Sequence, residues 1–220
     1  MDNVQKRVFT NNDFQDVILD RHSIRNFDPS VKIPHDEMVQ MIQEATTAPS
    51  ACNLQAWRFV VVDTDEGKQK LRSYFMKFNL PQINTSSAMV LLFGDTDAYK
   101  SYRELWNKAY TNKQITKAKL EEVLHTFLPI YEHASKEMLT ADASIDSALA
   151  AMQFMLIARG HGYETNPISG YNSENAAATW GLDPNRYVPV MAIAIGRPAP
   201  DKQDEVSSVR YPVKQVYEFH

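Results

Sequence analysis

The chain has 220 residues, a formal net charge of −4 and a pI near 5.9. That length suits one domain, with room for an insertion, and 44 % hydrophobic residues are enough for a sizeable core. The acidic balance argues against a nucleic-acid or membrane-surface role, and a single cysteine, Cys52, excludes an intrachain disulfide or a zinc site built on cysteine alone.

The first twenty residues lack the apolar run of a secretory signal, so a cytoplasmic location is expected. Residues 11–20, NNDFQDVILD, read as a helix in which Phe14, Val17 and Ile18 form one apolar stripe. RHSIRNF (21–27) follows, then DPSVKIP, a turn with two prolines. HDEMVQMIQEATTA (35–48) reads as a helix, with Pro34 and Asp36 at its start and Met38, Met41, Ile42 and Ala45 on its inner face. APSACNLQAW (48–57) begins as a loop and runs into WRFVVVD (57–63), a buried strand. EGKQKLRSYFMKF (66–78) reads as a short helix and AMVLLFGD (88–95) as a second strand.

Residues 97–139 mix charge with aromatics, and read as two helices broken near Thr111–Asn112 and Pro129. They could be a lid, an insertion or an ordinary surface pair. DASIDSALAAMQFMLIARGHGY (142–163) is apolar nearly all round. Ile145, Leu149, Met152 and Leu156 share one stripe, which places the helix in the core or at a subunit interface. Its most apolar window, 148–158, is too short to span a bilayer. TNPISGY (165–171) reads as a turn, YVPVMAIAIG (187–196) as a third strand, and SSVRYPVKQVYEFH (207–220) as a tail with no partner element nearby. Strands interleaved with helices imply an α+β fold, an α/β sandwich around a small mixed sheet, with residues 1–220 in one domain.

Four stretches carry chemistry. If RHSIR is extended, Arg21, Ser23 and Arg25 share one side and His22 and Ile24 the other. Two forked guanidiniums and a hydroxyl suit a phosphate; the plainer alternative pairs the arginines with Asp20 and Asp28. In the second stretch, Pro49 and Ser50 offer a tight turn with open backbone N–H groups. Asn53 and Gln55 add amides that both donate and accept, as the alternating edge of a flavin ring requires. In the third, Pro167 stiffens the chain and Gly170 permits close backbone approach, so that Pro167 and Ile168 could lie against an aromatic ring face while N–H groups point at a ring nitrogen. The fourth is Arg210, a cation in the tail with no obvious local partner.

Taken in order, these stretches resemble the nitroreductase family of FMN-dependent oxidoreductases, whose pattern is R-x-S-x-R-x-F near the N-terminus, P-S-S-x-N-x-Q-P-W some 25 residues on, a P-I-x-G turn after a long central helix and a basic residue in a C-terminal extension. The resemblance covers nearly the whole chain. Departures are Ala51 for the second serine, Ala56 for the proline after the glutamine, Ser169 where many members carry glutamate, and Ser208 where some carry lysine. The resemblance implies an obligate homodimer, its C-terminal arm exchanged, with two FMN sites at the interface. One chain would supply Arg21, Ser23, Arg25 and the turn Pro167, Ile168, Ser169 and Gly170; the other would supply Pro49, Ser50, Ala51 and Asn53. His22 and the polar pair Asn79 and Gln82 would also contact the cofactor. Arg210 would serve as the tail's phosphate cation.

It further implies ping-pong reduction of nitroaromatics, quinones or similar small acceptors by NAD(P)H through flavin N5, with backbone near Ser169 and Gly170 hydrogen-bonding N5. No side chain acts as nucleophile or metal ligand, and Cys52 reads as a small buried residue. Alternatives are a specialised flavin enzyme of the same superfamily, dehalogenase-like or flavin-consuming, or a non-catalytic flavin-binding module.

Overall fold

The structure, a computed structural model, describes residues 9–200 and 208–220; residues 1–8, read above for a signal segment, and Ser207 of the tail lie outside that range. In chain order its elements are α1 (His35–Ala45), β1 (Trp57–Val62), α2 (Asp65–Arg72), α3 (Leu80–Thr85), β2 (Ala88–Asp95), α4 (Tyr102–Thr111), α5 (Lys117–Thr126), α6 (Leu128–Glu132), α7 (Lys136–Gly160), β3 (Glu164–Ile168), α8 (Ala176–Thr179) and β4 (Tyr187–Gly196). The four strands form one sheet in the order β1-β2-β4-β3, with every neighbouring pair antiparallel. The parallel component is an isolated bridge from Ser23 to Thr165.

Alternation along the strands divides the core in two. Val90, Leu92, Ile193 and Ile195 meet Met38 and Met41 of α1 and Phe154 of α7 on one face. Met89, Leu91, Phe93 and Ala194 meet Ile24, Phe27, Leu71 and Ile83 on the other. α7 crosses β2 closely, for a Cβ on Gly94 would sit 3.0 Å from Ala143.

The three β-branched runs form strands within a residue of the expected limits, and α1 buries Met38, Met41 and Ala45 as its period requires. Residues 164–168, however, form β3 rather than a turn. Pro167 is compatible with it because β3 is an edge strand. Pro189, in the central β4, sits where the β2–β4 register slips between Leu92 and Phe93.

The helix expected over 11–20 is present from residue 14: two α-helical residues lead into a π-helical turn at Asp16–Asp20. Side chains upstream fix where it starts, since Asn11 accepts from the Asp13 N–H, and the Asp13 carboxylate accepts from those of Gln15 and Asp16 as an N-cap. Its stripe is not buried, Phe14 being 77 % exposed. The helix expected over 66–78 stops at Arg72, because Phe75 is drawn into a bridge with Tyr171 and the Tyr74 carbonyl accepts from Asn172. In 97–139 the two expected breaks are present, the second a kink between α5 and α6 at Phe127–Leu128 just before Pro129.

α7 begins at Lys136, six residues before the expected start, where the Ser135 hydroxyl accepts from the Met138 N–H. At 25 residues it has the length and composition of a membrane span, contrary to the short apolar window, but 44 % of its apolar 18-residue stretch is buried in the fold. Its small residues Ala143, Ser147, Ala150 and Ala151 face inward, while Ile145, Leu149 and Met152 are 58 %, 42 % and 41 % exposed.

Candidate functional site

The 21–27 strip runs beside β3 as an extra edge segment. The Ile24 N–H donates to the Thr165 carbonyl at 3.2 Å, and the Asn166 amide donates to the Ile24 carbonyl at 2.8 Å. Ile24 and Phe27 are buried beneath it, while Ser23 and Arg25 are exposed and Arg21 is half-buried. The alternation predicted for an extended segment is therefore present, with one exception: His22, expected behind the strip, is exposed and its Nδ1 meets the Asp20 carbonyl at 2.9 Å.

The two arginines have different surroundings. Arg25 donates to the Phe78 carbonyl, while the Asp28 carboxylate accepts from Ser30, which also holds it below its ordinary pKa. Nη1 of Arg21 is buried and has no hydrogen-bond partner among the described residues. Unmade charge-assisted bonds of this kind are costly, and an anion held there would satisfy it.

Gly170 joins this strip to the polar pair. Its carbonyl accepts from the Asn79 side-chain amide at 2.9 Å and from the Met76 N–H at 3.0 Å. A Cβ there would stand 2.6 Å from Asn79 Nδ2, so only glycine fits. Asn79 and Gln82 are both buried, and Oε1 of Gln82 lacks a partner among the described residues. Pro81 lies in the first turn of α3, which projects Gln82 from helix rather than loop. Pro167 and Ser169 are exposed, and Ile168 is buried. Arg21, Ser23, Arg25, Asn79, Gln82 and the Pro167–Gly170 segment thus lie together around the β3 edge.

The 49–56 loop does not join them. It enters β1 at Trp57, at the opposite edge and the opposite end of the sheet. Four strand spacings, and the stretch of β4 from Val188 to Ile195, separate it from Ser23, about 19 Å across and about 23 Å along. Pro49 and Asn53 are exposed, Ser50 and Ala51 half-buried. Cys52, Asn53 and Gln55 have φ of +48°, +63° and +53°. The tail does not reach the strip either: Arg210 is exposed and donates to the carbonyl of its neighbour Val209. Arg197 lies with its guanidinium 5.9 Å from the Tyr163 ring.

Three groups escape a reading of the sequence. Thr165 fixes the strip's register through its backbone. Asp146, a buried acid in the apolar part of α7, accepts from two amides of the 49–56 loop; an acid flanked by Ile145 and Ser147 was the available signal. The 97–139 helices pack on that same loop, with Tyr102, Leu128 and Tyr131 against Leu54 and Ala56. Burial pushes the Tyr102 hydroxyl up to about 12, and raises that of Tyr131, with the neighbouring Cys52 thiol adding to the rise.

A cationic strip, a buried amide pair and a glycine turn come together round one sheet edge of an α+β protein. The family model described as "Nitroreductase family" matches residues 18–197. The chain is 52 % identical over 209 residues, 95 % of each chain, to the CLA biosynthesis enone reductase of Lactiplantibacillus plantarum. The crystal structure of an enone reductase catalysing a step of gut-bacterial fatty acid saturation, also 52 % identical, superposes with a TM-score of 0.86, covering 95 % of this chain and 98 % of that one. A protein of Exiguobacterium sibiricum, described as a nitroreductase and crystallised with FMN, is 38 % identical and superposes with a TM-score of 0.90, covering 97 % of this chain and all of that one. The chain belongs to the nitroreductase family, and it is an oxidoreductase.

Proposed function

We propose that the protein is a homodimeric, FMN-dependent reductase that uses NAD(P)H to reduce conjugated, electron-poor acceptors, with α,β-unsaturated ketones ahead of nitroaromatics and quinones. The observation that carries the cofactor reading is the buried, unpartnered Nη1 of Arg21 beside Ser23 and Arg25. These residues fit FMN: the strip would hold its phosphate, and Asn79, Gln82 and the backbone of Ser169 and Gly170 would orient its ring. FMN supplies two-electron transfer between donor and acceptor when bound. The relatives named for FMN, NAD(P)H and enone reduction support the donor and the order of acceptors.

The remainder of the site would come from a second copy. The 49–56 loop sits too far from its own chain's strip to share a ligand with it, so Pro49, Ser50, Ala51 and Asn53 would complete the partner subunit's site. The exposed α7 stripe is the apolar face such a pairing would cover. The tail, with Val209, Tyr211, Val213 and Phe219 exposed, would cross to the partner and place Arg210 at a phosphate. The aromatic wall of 97–139, packed on the loop, would exclude water above the ring and favour flat, uncharged acceptors.

Anaerobic titration tests this. NADH or NADPH should bleach the flavin spectrum of the purified protein, and an α,β-unsaturated ketone should restore it faster than a nitroaromatic or a quinone. A protein that takes up no FMN on reconstitution refutes the cofactor reading, and a bleached flavin inert to all three refutes the acceptor reading.

A further inference from the structure

Asp146 is the most deeply buried acid in the described structure, 1 % exposed, on the face of α7 that packs inward. Its two oxygens do one job each. Oδ1 accepts the Ala51 N–H at 2.8 Å, and Oδ2 accepts the Ala56 N–H at 3.3 Å, from residues 95 and 90 positions away. Burial raises its carboxyl above the ordinary value, and hydrogen bonds from these two amides oppose that rise.

Between the two anchors the backbone is left-handed at Cys52, Asn53 and Gln55. None of the three is glycine, and a non-glycine residue holds such a conformation only where its surroundings impose it. Within the loop, the Ser50 hydroxyl accepts from the Gln55 N–H at 3.1 Å, and the Ala51 carbonyl from the Leu54 N–H at 2.8 Å. From outside, the next residue of α7 assists: the Ser147 hydroxyl meets the Ala56 carbonyl at 3.2 Å and the Phe93 carbonyl at 3.3 Å. A carboxylate with its charge on two loop amides at once constrains both ends of the left-handed segment.

We infer that Asp146 is the positioning residue of the cofactor loop: it clamps Ala51 and Ala56, and so holds Ser50, Ala51 and Asn53 in the shape that meets the FMN of the partner subunit. The inference rests on the proposed reading of this loop as a cofactor contact. It extends that reading by assigning the loop's shape to a residue that touches no ligand and lies on a different element. Asp146 then governs a site built mainly by the other chain.

Asp146→Asn tests it, since the near-isosteric amide replaces one acceptor with a donor facing a backbone N–H. In the cofactor-free protein, hydrogen–deuterium exchange across 49–56 should speed up about tenfold or more, and the Kd for FMN should rise about tenfold. At saturating FMN the visible absorption band should differ from wild type. Phe154→Leu, a core variant of α7 away from the loop, should lower Tm while leaving Kd and the band unchanged, which separates positioning from general stability. If Asp146→Asn fails to fold, Asp146→Ser, which keeps one small acceptor, should show the same changes.

Asn53→Ala separates the two levels of the argument. If it weakens FMN binding while Asp146→Asn leaves both Kd and exchange at wild-type values, the positioning role is overturned and the loop contact stands. If Asp146→Asn speeds exchange but neither variant changes Kd, the loop does not touch FMN, and the inference falls with that reading.

Discussion

Gly170→Ala tests the joint between turn and polar pair. The added Cβ would meet Asn79 Nδ2 at 2.6 Å and the Phe78 ring at 3.2 Å, against an ordinary contact of at least 3.4 Å. The Asn79 amide is buried and cannot swing into solvent. It must retreat by about 0.8 Å, which breaks its 2.9 Å bond to the Gly170 carbonyl. Leaving that buried donor unmet costs about 1–3 kcal/mol, and the crowding adds about 1–3 kcal/mol if the turn cannot shift. A combined loss of roughly 2–6 kcal/mol corresponds to a fall in Tm of roughly 4–24 °C for a chain of this length. Because Asn79 belongs to the proposed ring contacts, the Kd for FMN should also rise at least about tenfold. Thermal melts with and without FMN, together with fluorescence titration of the cofactor-free protein, measure both. Gly181→Ala is the control: Gly181 has φ +71° and no neighbour within 4 Å, so the change should cost stability through the backbone alone and leave FMN binding untouched. A Gly170→Ala protein with wild-type Tm and wild-type Kd would refute the reasoning.

Arg21→Ala should raise the Kd for FMN by about ten- to a hundredfold, the loss of one charge-assisted bond of about 1.5–3 kcal/mol, while the chain stays folded; an unchanged Kd removes Arg21 from the phosphate. Arg210→Ala should weaken FMN less and leave the dimer intact, and full retention of affinity would show that the tail does not reach the site. Leu149→Glu, on the exposed stripe of α7, should shift the mass measured by light scattering from dimer to monomer, with loss of FMN; a persistent dimer would place the interface elsewhere. Glu164 takes a proton more readily folded than unfolded, because burial outweighs its pairing with Arg159. Its contribution therefore weakens as pH rises from the ordinary value of 4.5 through the folded value. Tm measured from pH 4 to 7 should fall relative to Glu164→Gln over that window, and a flat difference would contradict it.

What the sequence disclosed follows how local each determinant is. WRFVVV, AMVLLFGD and YVPVMAIAIG are β-branched or apolar enough to declare themselves, and Met38, Met41 and Ala45 fall at helical spacing. Ile24 under the strip follows from alternation alone. β3 was hidden because Pro167 and Gly170 carry turn chemistry, and only its pairing with residues 192–196 makes 164–168 a strand. The N-terminal helix starts three residues later than its apolar spacing suggests because Asp13 caps it there, a boundary that spacing alone cannot register. At the site, residue types were legible in the sequence, while the division of RHSIR and PSACN between two chains came only with the family resemblance; the sheet places the two at opposite corners of a chain. Asp146 was passed over since its partners are 90 and 95 residues away.

The corner-to-corner separation of strip and loop has a thermodynamic consequence. Under the proposed pairing, a chain by itself owns two halves that can never meet, and a single twofold association completes two pockets at once. Capture of FMN and association of subunits are then linked equilibria. Dilution should release cofactor, added FMN should hold the subunits together, and the apparent affinity for FMN has no fixed value until the protein concentration is stated.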